Sequence, residues 1–155
     1  MDFIKILSEG VFACGATLFF ALALRAPKRT LLCASCLGFL GQVIYSLLKD
    51  SWGDNFAVFT ATCAVCFLAE LFTRLLKAPA TVISFPAMIP LVPGVMLYRT
   101  MLCFSQGDFT AGTTAIINTL VYAGCMAMAI TLAASVSKNI LMPLLSKVKK
   151  ERRPD

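Results

Sequence analysis

The run from Pro79 to Tyr98 carries no charged residue for 20 positions, enough for a helix to cross a hydrocarbon core of ~30 Å. Three prolines, Pro86, Pro90 and Pro93, stand inside it, and Gly94 follows. Each proline removes a backbone donor and crowds the carbonyl four residues earlier, which frees the carbonyls of Val82, Pro86 and Ile89. The spacing i, i+4, i+7 puts these openings on one side of a helix. The residues before the prolines, Phe85, Ile89 and Val92, are pushed away from helical angles. A soluble core helix would not keep this pattern. In a bilayer, broken backbone survives only where it is buried in protein or lines a polar cavity, and transporters build midplane binding sites in this way. The competing reading is a merely kinked helix, since proline is commoner in membrane helices than in soluble ones. Three prolines and a glycine within nine residues favour the binding-site reading.

Composition places the segment in a membrane. Of 155 residues, 59% are hydrophobic and 14% charged, and the mean hydropathy of +0.82 goes with long uncharged apolar runs. The length allows about five spans with short loops and leaves no room for a soluble catalytic domain. The net charge of +6 lies between and after the apolar runs, where it reads as a topology signal rather than a nucleic-acid footprint. There is no histidine, which removes the commonest metal ligand and general base.

The chain is predicted to be all-α, a polytopic membrane protein of about five transmembrane helices with the fourth broken by proline. The expected spans are about 4–24, 31–48, 56–76, 79–101 and 110–136, within a membrane domain over 1–137. A basic tail over 138–155 follows. The first span carries Lys5 and Glu9 at its amphipathic start. A cleaved signal peptide is disfavoured there, because Asp2 and Glu9 oppose a positive leader and Arg25, Lys28 and Arg29 follow directly. The second span holds Gly38 and Gly41 beside Gln42, small residues that let helices approach closely. Trp52 fits an interfacial anchor.

Orientation is read from the loops. Arg25, Lys28, Arg29, Arg74, Lys77, Lys138, Lys147, Lys149, Lys150, Arg152 and Arg153 fall on one side, eleven against Lys5, Lys49 and Arg99 on the other. The positive-inside rule then predicts an external N-terminus and a cytoplasmic C-terminus. A re-entrant fourth segment would put the basic tail outside, so the segment is expected to cross. The tail also suits contact with anionic lipid.

Several residues carry candidate chemistry. Pro93 and Gly94 suit the start of a second half-helix, since proline tolerates the first helical position and glycine lets a ligand reach the backbone. The amides of Gly94, Val95 and Met96 would then offer a site for a substrate carboxylate, with carbonyls freed by Pro90 and Pro93 accepting from an amine or hydroxyl. Arg99 either grips a carboxylate with two parallel bonds or snorkels to the headgroups. Asn118 and Gln42 suit interhelical hydrogen bonds, and Asn118 also counts as a substrate-binding candidate. Thr113 and Thr114 are expected to bond back to their own helix. Glu70 is costly inside a membrane and is the candidate proton carrier; the alternative is an i,i+4 pair with Arg74. Cys33 with Cys36, and Cys63 with Cys66, form two CxxC pairs, a zinc or redox signal in a soluble loop but small apolar residues within helices.

Ala69-Glu70-Leu71, Ala78-Pro79-Ala80-Thr81, Ile89-Pro90-Leu91-Val92-Pro93-Gly94 and Tyr98-Arg99-Thr100-Met101 resemble the threonine/serine exporter family, in its small-subunit type, the stand-alone second membrane domain. The Ile-Pro-Leu-Val-Pro-Gly core is the specific part. The resemblance implies secondary export of small polar metabolites such as threonine and serine, and a two-component relative is linked with succinate export. Fused members carry about ten spans, so a five-span chain implies a separate larger membrane subunit as partner. Two consecutive five-span units have opposite orientations, because five is odd, and inverted pairs are a common transporter plan. The leading expectation is therefore an exporter subunit in the bacterial inner membrane with a small-molecule substrate. It is not an enzyme, and it has no cofactor, metal or nucleic acid. A non-transporting scaffold and a membrane thiol oxidoreductase using the CxxC pairs are the alternatives.

Overall fold

A computed structural model describes residues 3–76, 78–137 and 139. The expected basic tail lies outside these, apart from Asn139. All regular structure among the described residues is helical: α1 (Phe3–Ala23), α2 (Lys28–Trp52), α3 (Asp54–Leu76), α4 (Ala80–Met88) running into a 3₁₀ turn (Ile89–Leu91), α5 (Gly94–Ser105) and α6 (Phe109–Val136). Helices α1, α2, α3 and α6 are each long and apolar enough to cross a bilayer, and the bent pair α4–α5 is a fifth, broken element with an angle of 48°. The protein is an all-α polytopic membrane protein.

Local chemistry sets the turns. Pro27 opens α2, and its carbonyl accepts from the Thr30 hydroxyl at 2.8 Å. One residue, Gly53, separates α2 from α3. Its φ of +82° is costly for any side chain, and its amide donates to the Lys49 carbonyl at 3.1 Å. Across this turn Trp52 stacks on Phe56 with ring centroids 4.9 Å apart, an amphipathic pair suited to the headgroup level. Asp108 caps α6, its carboxylate accepting from the Ala111 amide at 3.0 Å.

Lipid tails are as apolar as leucine, so membrane helices associate through close packing rather than water exclusion. Small residues supply that packing. The Thr17 side chain of α1 fills the space where a Cβ on Gly38 of α2 would stand, and Val65 of α3 lies 2.7 Å from where one on Gly41 would be. Thus α2 is gripped from both sides. Helix α4 then enters the middle of the bundle. Its Ile83, Ala87 and Met88 are buried against Ala34 and Leu37 of α2, Val65, Cys66 and Ala69 of α3, and Ala133 of α6. In contrast, α5 leans on α6 and has no more than marginal contact with any other helix.

Candidate functional site

The break between α4 and α5 is built from the three prolines, but they act unequally. Pro86 sits inside α4, and Ile89 keeps helical angles (φ −55°, ψ −43°). Only Val92 turns extended (φ −63°, ψ +135°). The expected departures at Phe85 and Ile89 therefore do not occur. The chain tightens to 3₁₀ geometry instead: the Ile89 amide bonds the Pro86 carbonyl, and the Val92 amide bonds the Ile89 carbonyl at 3.1 Å. Two of the carbonyls expected to be free are thus recaptured by i→i+3 bonds. The break itself falls at Val92–Pro93.

On the α5 side, the Gly94 amide is also spent, donating to the Val92 carbonyl at 2.7 Å. Of the three amides expected to be open, those of Val95 and Met96 remain without an acceptor among the described residues. Both Gly94 and Val95 are exposed, and a Cβ at Gly94 would meet nothing within 4 Å. The start of α5 is an open anion-favouring terminus, not an enclosed pocket. On the α4 side the Leu91 carbonyl is held from below, where the Tyr122 hydroxyl of α6 donates to it at 3.1 Å. That buried bond was not legible from spacing, since 31 residues separate the partners.

The other candidates scatter. Pro90 and Pro93 are half-buried at the break, and Arg99 is exposed further along α5. Asn118 is exposed on α6, in a shallow depression with Asp108, Thr110 and Thr114. Thr113 and Thr114 bond back to the Phe109 and Thr110 carbonyls at 2.7 and 3.1 Å. Gln42 bonds within its own helix, to Ser46 at 3.4 Å, rather than across to a neighbour.

Glu70 lies apart from the break. It is about 14 Å further along α3 than Ala61, which packs with Leu91. A cavity of about 140 Å³ opens between α3, α4 and α6 and is lined by Glu70, Cys66, Thr81 and Ser84. The Glu70 carboxylate accepts from the Ser137 hydroxyl at 3.3 Å. Among the described residues the one ion pair joins Lys49 to Asp54 at 3.7 Å, so the local pairing of Glu70 with Arg74 is not formed. Among the described residues Glu70 is thus met by a hydroxyl and not by a cation.

A second polar group stands at the other end of α3. The Tyr45 hydroxyl donates to Asp54 at 2.8 Å, and Lys49 sits 5.7 Å from the Tyr45 ring centroid. Tyr45 also meets Tyr122 edge-on, centroids 6.4 Å apart. The pair of tyrosines therefore links this end to the Leu91 carbonyl at the break. The cysteines of both CxxC pairs are free thiols within α2 and α3. Cys63 contacts the Ala129 carbonyl and Cys66 the Met88 sulfur, each at 3.5 Å, so the pair on α3 serves helix packing. Midway along α3, Thr62 is fully buried and its hydroxyl has no partner among the described residues.

The sequence model of a family described as "Threonine/Serine exporter, ThrE" matches residues 9–136, from Glu9 to the end of α6. The chain belongs to the threonine/serine exporter family. Relatives of this exporter-family chain include an uncharacterised protein of Haemophilus influenzae, 29% identical over 138 residues, covering 83% of this chain and 46% of that protein. A threonine/serine exporter of Corynebacterium glutamicum is 25% identical over 141 residues, covering 91% of this chain and 28% of that protein. A probable threonine/serine exporter of Mycobacterium tuberculosis is 31% identical over 88 residues, covering 56% of this chain and 17% of that protein. The exporter-family chain thus spans less than half the length of these relatives. No solved structure matches it.

Proposed function

We propose that this chain is a subunit of a secondary-active exporter of small polar metabolites, threonine- or serine-like amino acids or small dicarboxylates such as succinate. It works with a larger membrane subunit in a bacterial inner membrane. The observation that carries the reading is the break at Val92–Pro93, with two unpartnered amides at an open helix start, in a chain matching the exporter family over residues 9–136. The Val95 and Met96 amides receive a substrate carboxylate. Pro90, Pro93 and Gly94 hold that terminus open, and Arg99 and Asn118, both exposed on α5 and α6, add polar contacts along the path of the substrate. Glu70 carries the coupling proton. The open face of α5, which packs mainly on α6, supports a partner that closes the site.

Export is tested in cells expressing this chain alone, with its partner, and with neither, by following extracellular amino acids and dicarboxylates. Gly94→Leu is a clean probe, because the added side chain meets nothing of this chain within 4 Å at its Cβ. It is expected to lower export by roughly tenfold or more by covering the amides, and Pro93→Ala to do so by mending the helix, with expression and partner assembly near normal. A near wild-type rate in Gly94→Leu places binding elsewhere. Loss of assembly without any effect of break variants on rate favours a scaffold.

The proposed orientation, N-terminus outside and C-terminus cytoplasmic, rests on the eleven-to-three division of basic residues. Reporter fusions after Asp155 and at Asp54 check it. The first is expected to be active in the cytoplasm and the second outside, and an external C-terminus overturns the assignment.

A further inference from the structure

A further polar space among the described residues lies away from the break. A cavity of about 400 Å³ lies between the start of α1 and the end of α2, lined by Lys5, Glu9, Gln42, Tyr45, Ser46, Lys49 and Asp50. Its volume is at the small end of metabolite sites. Both signs of charge face the same space, which distinguishes it from an anion or cation site.

The charges are not equivalent. Lys49 is already answered by Asp54 at 3.7 Å and by the Tyr45 ring. Asp50 is exposed. Glu9 is half-buried, and one carboxylate oxygen, Oε2, accepts from the buried Ser46 hydroxyl at 2.7 Å. Ser46 is in turn reached by the Gln42 amide at 3.4 Å. Glu9 is therefore fixed, with its second oxygen left to the cavity. Its position is set by close packing of the adjacent residue: a Cβ on Gly10 would lie 2.7 Å from the Phe39 ring and 3.1 Å from Val43. Lys5 stands one helical turn before Glu9, a spacing that puts both side chains on one face, and it makes no ion pair among the described residues.

We infer that this cavity is a binding site for a small zwitterion, with the ligand ammonium on Glu9, its carboxylate on Lys5, and a ligand hydroxyl within reach of the Gln42 and Ser46 polar groups. A dicarboxylate is disfavoured, because its second carboxylate meets Glu9. The site stands at the opposite end of the bundle from Glu70, and Tyr45 in its wall touches Tyr122, which holds the Leu91 carbonyl. It is a vestibule one aromatic pair away from the break. The inference rests on the exporter reading for its ligand size, and it narrows the substrate class left open there.

Equilibrium binding to the purified full-length chain in lipid nanodiscs tests it, using L-serine, ethanolamine (ammonium only), glycolate (carboxylate only) and succinate. L-serine is expected to bind about tenfold or more tighter than any of the other three. Glu9→Gln retains an acceptor for Ser46 and is expected to weaken L-serine and ethanolamine about tenfold while sparing glycolate. Lys5→Met is expected to weaken L-serine and glycolate while sparing ethanolamine. Lys28→Met, at the other end of α2, serves as the control, and thermal unfolding of each variant confirms that it folds. L-serine affinity unchanged in both Glu9→Gln and Lys5→Met, or succinate binding as tightly as L-serine, overturns the site. Because binding and not export is read, such a result leaves the exporter reading standing. Loss of that reading in the break variants likewise leaves this site standing.

Discussion

Glu70→Gln is expected to abolish export driven by a pH gradient, by roughly 100-fold, the scale at which a positioned proton-transfer group contributes. Exchange of substrate across the membrane at equal pH is expected to continue. The amide oxygen still accepts from Ser137 at the position of the present 3.3 Å contact, so the fold is retained and the proton is lost. Glu70→Asp keeps the carboxylate one methylene further from Ser137 and is expected to be milder. Paired transport assays, with and without a gradient in reconstituted vesicles containing the partner, give the reading. Equal loss of both modes with loss of folded protein would make Glu70 a structural residue.

The largest expected effect on stability comes from Gly38→Leu. The Thr17 side chain occupies the place of the new Cβ, Thr17 is fully buried, and its hydroxyl is tied to the Ala13 carbonyl at 2.8 Å. Overpacking a close-packed contact costs typically 1–3 kcal/mol, and more where backbones must separate. Here α1 would have to lift from α2. A fall of ten degrees or more in the midpoint of thermal unfolding in detergent, with reduced folded yield, is expected, on the order of 3 kcal/mol. Gly38→Ala combined with Thr17→Ala should recover part of the loss of Gly38→Ala alone, since the two residues share one volume. Gly15→Leu, where a Cβ meets nothing within 4 Å, should leave the midpoint unchanged.

Much of this architecture is written locally. Uncharged runs near 20 residues dictate membrane helices, and Gly38 and Gly41 announce close approach before the neighbours are known. The presence of a break was legible because prolines cannot donate. The start of the second half-helix at Pro93 and Gly94 was legible as well, but the extent of the opening was not, because whether a freed carbonyl stays free depends on the next turn. The Ile89 and Val92 amides recapture the Pro86 and Ile89 carbonyls by tightening to 3₁₀ geometry, and the opening shrinks to one linkage. Sequence spacing also shows only neighbours on the same helix. It offered Glu70 the nearby Arg74, whereas the structure gives it Ser137, 67 residues away. It placed Glu9 at an amphipathic start, whereas Ser46, 37 residues away, turns it inward. The cavity at Lys5 and Glu9 escaped for that reason, although a charged i,i+4 pair opposite a polar end of α2 was the available signal.

The uneven attachment of the two half-helices has a consequence for biogenesis. Helix α4 with its 3₁₀ turn covers Ala80–Leu91, which rises only ~18 Å, far short of the ~30 Å that a helix must cover to partition on its own. It is held instead by α2 and α3 and by a lighter contact with α1, all of which leave the ribosome before it. By contrast, α5 and α6 are joined by a three-residue turn, Gln106–Asp108, and packed on each other. They form a hairpin whose two arms together are long enough to be inserted as a pair. The extended Val92–Pro93 linkage is the covalent joint between that late hairpin and the earlier bundle, and α6 seals it by packing along α3.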